Sequence, residues 1–493
     1  MPAARSKANS QNLRVLGFFI GLAGLVASLF IHQLPGMSVD ATRSIGMAWL
    51  MIFWWVFEAL PMAVVALVPL FAFPMLGLSK PDEVSSAYAN PIIFLFMGGF
   101  MLGLSIEKWG LHRRIALNVI KFTGDSGDRI ILGFSLATAG ISMWLSNTAT
   151  TMMMFPIALS VIKVVENKTT QARNLRMFSM ALMLMLAYSA NLGGLATLIG
   201  TPPNVAYAGY VLKQYNYTIP FGTWMLLCFP LAMILVLGTY FLMVKWLYPN
   251  KIASSHEAMV LVQKELNLMG KLTTPQKRAM MVFGFTALGW ITKDLINLLL
   301  PFKLDDSMIA IMGATAMFLV PAGDTKHHGQ RLLAWEDTQK MAWGILIMFG
   351  GGMALANQLE KTNLMNDVGQ YMAGLAQGQL LLLVLFTIVF SIFLSEFMSN
   401  VAQVLVLAPV VSGIADAMQL NPLLLGIPMT LAASCSAMMP MGTPPNAIVF
   451  SSGLVPIREM MKAGLVVNLF GIVIIFLFSW WLLPLVFGHV LSK

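Results

Sequence analysis

The chain has 493 residues, of which 58% are hydrophobic and only 10% charged, and its formal net charge is +9. Soluble domains average roughly 45–50% apolar and about 25% charged residues, so this composition excludes a soluble enzyme, a disordered scaffold and a secreted disulfide framework together. The two cysteines, Cys228 and Cys435, stand far apart in apolar runs; they form no C-x-x-C metal or redox pair and read as small packing residues.

A helix needs roughly 20 apolar residues to cross a bilayer. In chain order the sequence predicts spans at 13–32, 42–57, 60–78, 91–106, 177–198, 221–247, 280–300, 306–321, 343–359, 421–438 and 463–488. The first is read as a retained helix and not a secretory signal, because no small-residue cleavage site precedes the polar stretch from Gly36 to Arg43. Two further apolar stretches, 130–165 and 379–416, are too long for one crossing, and each is interrupted near its middle by polar residues. They read as re-entrant hairpins. The fold class expected is therefore an all-α polytopic membrane protein with about 11 transmembrane helices and two re-entrant hairpins.

Basic residues gather on the cytoplasmic side of membrane proteins. With the N-terminus inside, 23 of the 30 Lys and Arg residues fall on the inner side. This predicts a multi-pass protein of the plasma (inner) membrane with a cytoplasmic N-terminus and an outside C-terminus. The positive balance then faces cytoplasm and anionic lipid, so nucleic acid is not needed as a partner.

An internal repeat appears at an offset of 253 residues. Gly98, Gly99, Glu107, Lys108 and Leu111 match Gly351, Gly352, Glu360, Lys361 and Leu364, and Ser142, Ser146, Asn147 and Pro156 match Ser395, Ser399, Asn400 and Pro409. After a shift to 242, Gly200-Thr201-Pro202-Pro203-Asn204 matches Gly442-Thr443-Pro444-Pro445-Asn446. Five predicted crossings separate the two starts, an odd number, so the second copy is expected upside down. Inverted repeats with interrupted helices are the mark of a secondary transporter with its site at the membrane midplane.

Each interruption carries its own chemistry. Ser-Asn at the centre of both long stretches implies a break that frees backbone groups, tolerated at membrane depth only where it is buried in protein or lines a cavity. The half-helix after each break points free N–H groups into it and suits an anion. Hydroxyls, amide oxygens and freed carbonyls suit a hard cation such as sodium. Each Pro-Pro pair splits its own helix, because it removes N–H donors and displaces the preceding residue from the α region. Glu396, three residues before Ser399, either pins the second tip by accepting hydrogen bonds or tunes a cation or proton site. Glu58 before Pro61, the aromatic run Phe53-Trp54-Trp55 and the 39 methionines read as structural. The histidines are scattered apart from His327-His328. No Ser/His/Asp set, phosphate loop or metal-ligand cluster falls at membrane depth, so the chain is not read as an enzyme.

The paired motifs Ser146-Asn147-Thr148 and Ser399-Asn400-Val401, the two Thr-Pro-Pro-Asn segments and the stretch from Asn90 to Leu117 resemble the divalent-anion/sodium symporter family, which includes sodium-coupled dicarboxylate, citrate and sulfate carriers. The resemblance implies a first sodium site from Ser142, Ser146, Asn147 and Gly200 and a second from Ser395, Met398, Asn400 and Gly442. It implies substrate contacts from Ser146, Asn147, Thr148, Thr201 and Pro202 on one side, and from Ser399, Asn400, Val401, Thr443 and Pro444 on the other. It also implies a homodimer whose transport domain moves as an elevator against a scaffold. The expected organisation is scaffold helices over 1–90, a first repeat over 91–247, linker and scaffold helices over 248–342, and a second repeat over 343–493. Sodium is the expected co-transported ion, with no organic cofactor, and the partners expected are a small anion, sodium and membrane lipid. Val401 departs from the family's threonine, which keeps sulfate, citrate and less polar carboxylates open beside a C4-dicarboxylate. A sodium-independent anion exchanger or a passive anion channel on the same repeats is the alternative.

Overall fold

The computed structural model describes residues 2–31, 33–34, 37–167, 171–252, 256–323, 329–362, 364, 380–488 and 490. The adjacent His327-His328 and residue 379, the first of the second long stretch, lie outside the described residues.

The described chain is helical, with no strand beyond one isolated bridge between Pro321 and Arg331. The first part comprises α1 (Pro2–Phe30), α2 (Val39–Val56), α3 (Met62–Val65), α4 (Val68–Met75), α5 (Pro81–Ser86), α6 (Pro91–Lys108), α7 (Leu111–Thr123), α8 (Gly127–Ser142), α9 (Asn147–Glu166), α10 (Ala172–Gly194), α11 (Pro202–Tyr215) and α12 (Phe221–Phe241). Then come α13 (His256–Leu268), α14 (Thr274–Ile296), α15 (Asp306–Leu319), α16 (Trp343–Lys361), α17 (Leu380–Leu394), α18 (Asn400–Ala417), α19 (Leu423–Ala433), α20 (Pro444–Ser451), α21 (Ile457–Trp481) and α22 (Leu483–Phe487). Among the described residues, eight helical segments are long and apolar enough to cross a membrane, and shorter apolar helices cover Met62–Met75, Asp306–Leu319, Leu380–Leu394 and Leu423–Ala433.

One expected span differs. Residues 60–78 form two short helices, α3 and α4, because Pro69 has no N–H to continue the ladder. The Ala66 carbonyl, left out of the ladder because the Leu70 N–H turns to Leu67, accepts the Tyr88 hydroxyl instead. Helices without a predicted span also appear, among them α7 and α13; these two pack on each other, and Arg113 pairs with Glu265 at 2.6 Å. Glu58 closes α2 with φ 47° and pairs with Arg14 at 2.9 Å.

The repeat is visible in the packing. Gly98 of α6 sits against Ala310 of α15, where an added Cβ would stand 2.7 Å from the Ala310 carbonyl carbon. Its partner in the repeat, Gly351 of α16, sits as closely against Ala66 at the end of α3. In each case the missing side chain lets a helix from the other half cross at backbone distance. The hairpin limbs interlock in the same reciprocal way: α9 packs on α20, and α18 packs on α11. Away from these contacts, a buried ion pair between Lys293 and Asp306 (2.9 Å) ties α14 to α15, and Asp306 also accepts the Phe221 N–H at 2.9 Å.

Candidate functional site

All four predicted interruptions are helix breaks, and each ends in a residue that caps the next half-helix. Ser146, Thr201, Ser399 and Thr443 are the N-caps of α9, α11, α18 and α20, all with extended backbone. Four helix N-termini therefore open at the breaks, each with the positive end of its dipole; α9 and α18 also bring N–H groups there, whereas α11 and α20 begin with two prolines, and the Asn204 and Asn446 N–H groups that follow are bonded to the Thr201 carbonyl and Thr443 Oγ1. No lysine or arginine lies within 142–148, 194–204, 395–401 or 436–446.

At the first tip, the Asn147 side-chain oxygen stands 2.7 Å from Ser142 Oγ. The same position is 3.1 Å from the Ala190 carbonyl and 3.3 Å from the Gly200 carbonyl. Four oxygens thus gather where the tip meets the α10–α11 break. Such a cluster is satisfied by turning the amide so that its nitrogen donates to the others, or by a cation held among the oxygens. An all-oxygen set of one amide, one hydroxyl and two carbonyls is what a hard cation takes. Gly194 and Gly200 make the approach possible: a Cβ at Gly200 would lie 2.5 Å from the Gly194 carbonyl, and one at Gly194 would lie 2.7 Å from Asn147 Oδ1. Thr197 donates to the Met143 carbonyl at 2.5 Å, which fixes the break against the tip. Ser146 turns its hydroxyl to the Ala149 N–H at 3.2 Å, and Thr148 is half-buried one residue into α9.

The second tip is held differently. Glu396 is 1% exposed and accepts four hydrogen bonds: the N–H groups of Ala437 and Met438 and the Asn468 amide on Oε1, at 2.9, 2.9 and 2.8 Å, and the Met439 N–H on Oε2 at 2.9 Å. The carboxylate therefore pins the tip to the α19–α20 break and to α21. The repeat-equivalent position is Met143, so the first tip has no such anchor. Asn400 Oδ1 is buried without a hydrogen-bond partner among the described residues. Ser395 turns its hydroxyl back to the Ile392 carbonyl at 2.8 Å. A Cβ at Gly442 would lie 3.2 Å from Glu396 Oε2. Met398 and Val401 are each 8% exposed, Ser399 is half-buried, and Ser399 makes no side-chain capping bond.

Of the residues expected around the first cation, Ser142, Asn147 and Gly200 meet directly. In the second set, Asn400 offers an unpaired oxygen, and it is Glu396 that reaches Gly442. Thr201 and Thr443 are 3% and 4% exposed, Pro202 is half-buried and Pro444 exposed.

The asparagine of each Thr-Pro-Pro-Asn segment closes its own break. Asn204 donates to the Thr197 carbonyl at 2.9 Å and more weakly to Gly194 at 3.4 Å. Asn446 donates to Met439 at 3.1 Å and Ser436 at 3.4 Å. These acceptors correspond at the same offset of 242 residues, so the repeat extends to individual hydrogen bonds. The two breaks are also joined: Asn191 donates to Thr443 Oγ1 at 2.9 Å, and the Tyr188 hydroxyl donates to the Ala437 carbonyl at 3.0 Å.

Sequence reasoning missed Ala190, Tyr188 and Asn191. A backbone carbonyl such as Ala190 leaves no sequence signal. Asn191, a polar side chain inside an apolar run, carried one that the repeat did not pick out.

The chain is similar to known membrane transporters over most of its length. Residues 13–487 match the family described as sodium:sulfate symporter transmembrane region. The sodium-dependent dicarboxylate transporter SdcS of Staphylococcus saprophyticus is 36% identical over 486 residues, covering 96% of this chain and 92% of the relative. The protein of the same name from Staphylococcus aureus strain USA300 is 35% identical over 489 residues, again covering 96% and 92%. Among solved structures, the Alcanivorax borkumensis YdaH transporter superposes with a TM-score of 0.54 at 13% identity, over 83% of this chain and 89% of that one, a likeness of fold alone. Matched over residues 13–487, the chain belongs to the sodium:sulfate symporter family of membrane transporters.

Proposed function

We propose that this protein is a sodium-coupled symporter of four-carbon dicarboxylates such as succinate, malate and fumarate. The observation that carries the proposal is the cluster of oxygens around Asn147 Oδ1 at the N-terminus of α9. A cation bound there adds positive charge beside helix N-termini that by themselves hold a dianion only weakly. The same asparagine then serves cation and anion, which couples the two bindings. The names of the staphylococcal relatives support the same substrate and ion.

In this reading the second cation is bound near Asn400 and Gly442, with Ser395, Met398 and Glu396 around it. The substrate lies between the tip residues Ser146, Asn147, Thr148, Ser399, Asn400 and Val401 and the break residues Thr201, Pro202, Thr443 and Pro444. The two repeats, 91–247 and 343–493, are inverted across the membrane, with the N-terminus cytoplasmic and the C-terminus outside. The hairpins and broken helices move together against a scaffold formed by 1–90 and 248–342, in a homodimer.

One observation favours a second reading. With its amide turned, Asn147 donates to Ser142, Ala190 and Gly200 and needs no cation, as a sodium-independent exchanger would require. Uptake of labelled succinate into proteoliposomes separates the two. Symport predicts uptake driven by an inward sodium gradient and lost in potassium or choline; equal uptake in all three media refutes it and supports exchange.

A further inference from the structure

We infer that Asn191 is a positioning residue that leaves the Thr443 hydroxyl one hydrogen bond to make, as a donor toward the bound anion. The inference rests on the substrate site proposed above and concerns what gives one half of that site its preference for a negative charge.

Two amides fix the state of this hydroxyl. Asn446 directs its nitrogen to the Met439 and Ser436 carbonyls at 3.1 and 3.4 Å, which fixes its orientation. Its oxygen must then face the other way, toward Asn191, and lies 3.5 Å from Asn191 Nδ2. Asn191 consequently presents its nitrogen to this corner, and that nitrogen donates to Thr443 Oγ1 at 2.9 Å. The backbone N–H of Asn446 donates to the same Oγ1 at 3.4 Å. A hydroxyl has two acceptor lone pairs and one proton. Both lone pairs of Thr443 are taken by N–H donors, so what remains is the proton. A hydroxyl held in this state can serve an anion and cannot ligate a cation.

The first half of the site lacks this device. Thr201, the repeat counterpart of Thr443, makes no side-chain capping bond. The position that corresponds to Asn191 at the offset of 242 is Ala433. Thr201 is thus free to donate or accept, whereas Thr443 only donates. The asymmetry is built across the repeats, because Asn191 belongs to the first and Thr443 to the second. Asn191 is 3% exposed and its Oδ1 has no partner among the described residues. Its buried amide is held in the apolar α10 by what its nitrogen does.

The test is a double-mutant cycle on the full chain in proteoliposomes, with the half-saturation concentration of succinate as the readout. Thr443→Val is expected to raise it about tenfold, and Asn191→Ala about three- to tenfold. The double variant is expected to match Thr443→Val alone, since Asn191 acts through the hydroxyl already removed. Asn191→Ser, which keeps a small polar side chain too short to reach Oγ1, is expected to reproduce Asn191→Ala and serves if the alanine variant does not fold. A merely structural role for Asn191 gives multiplied effects in the double variant, and that result overturns the inference. So does an unchanged half-saturation in Asn191→Ala or Asn191→Ser while Thr443→Val raises it. A silent Thr443→Val refutes the underlying substrate site and this inference with it.

Discussion

Replacing Gly200 by alanine perturbs the site through one methyl group whose surroundings are known. Its Cβ would stand 2.5 Å from the Gly194 carbonyl oxygen and 3.0 Å from both Gly194 Cα and the Met143 carbonyl oxygen. Optimal contacts lie near 3.5–4.0 Å, so the two sides of the break, Gly194 and Gly200, must part by about an ångström and the tip at Met143 must give by about half that. All three neighbours are backbone, and Gly194 is itself wedged against Asn147, so no flexible side chain can absorb the shift. Overpacking costs about 1–3 kcal/mol, and against backbone the upper half of that range applies. At about 1.4 kcal/mol per tenfold, the loss in apparent sodium affinity is roughly thirty- to a hundred-and-fiftyfold, because the Gly200 carbonyl moves away from Asn147. Two controls grade the result. Gly442→Ala meets Glu396 Oε2 at 3.2 Å and the Met439 carbonyl and Ser436 Oγ at 3.4 Å, a milder crowding that costs less than about 1 kcal/mol, under about fivefold. Gly140→Ala, in α8 just before the first tip, meets nothing within 4 Å and leaves transport unchanged. The assay is the sodium titration of succinate uptake in proteoliposomes, with each variant's yield and monodispersity recorded. A Gly200→Ala protein with the parent's sodium dependence refutes the reasoning, and so does a Gly140→Ala protein damaged as badly.

Asn147→Ala and Asn400→Ala should each abolish or nearly abolish uptake while leaving expression intact, a loss larger than the roughly 1 kcal/mol of one neutral hydrogen bond; near-normal uptake in either contradicts the site. Val401→Thr adds a hydroxyl at a position 8% exposed and should shift the uptake ratio of succinate to citrate, sulfate or a monocarboxylate by at least about threefold, a modest part of the 1–2 kcal/mol such a donor is worth. Unchanged ratios across that panel mean that residue 401 points away from the substrate. On a cysteine-free background, Asn167→Cys and Gln419→Cys, both exposed at the far ends of the hairpins, should react with an impermeant thiol reagent from the cytoplasm and from outside, respectively. Labelling of both from one side removes the inverted topology.

The breaks were legible because they are written in residues that a membrane helix avoids. Pro202-Pro203 and Pro444-Pro445 cannot continue a ladder, and Ser146-Asn147 and Ser399-Asn400 place amides where only a partner or ligand can satisfy them. Their recurrence at fixed offsets turned four local anomalies into one site. The split of 60–78 was harder to see, since Pro69 and Pro74 stand in an otherwise continuous apolar run and a proline there more often only kinks. The amphipathic α7 and α13 gave no spanning signal because their apolar faces cover protein and not lipid. What Glu396 grips could not be read at all. Its partners are the backbone N–H groups of residues 437–439, some forty positions away, which only the break in α19–α20 leaves free. Asn191 escaped for the opposite reason: its repeat counterpart is an alanine, so the symmetry that exposed the other polar residues passed over a residue that joins the halves.

In the proposed mechanism, cation and anion share a site whose affinity for each depends on the other. Equilibrium binding of labelled succinate to the purified protein tests it most directly, measured with sodium and again with choline in its place. A shared site gives tight binding with sodium and none detectable in choline, and by linkage the factor by which sodium strengthens succinate binding equals the factor by which succinate strengthens sodium binding. Equal succinate affinity in the two media would contradict it.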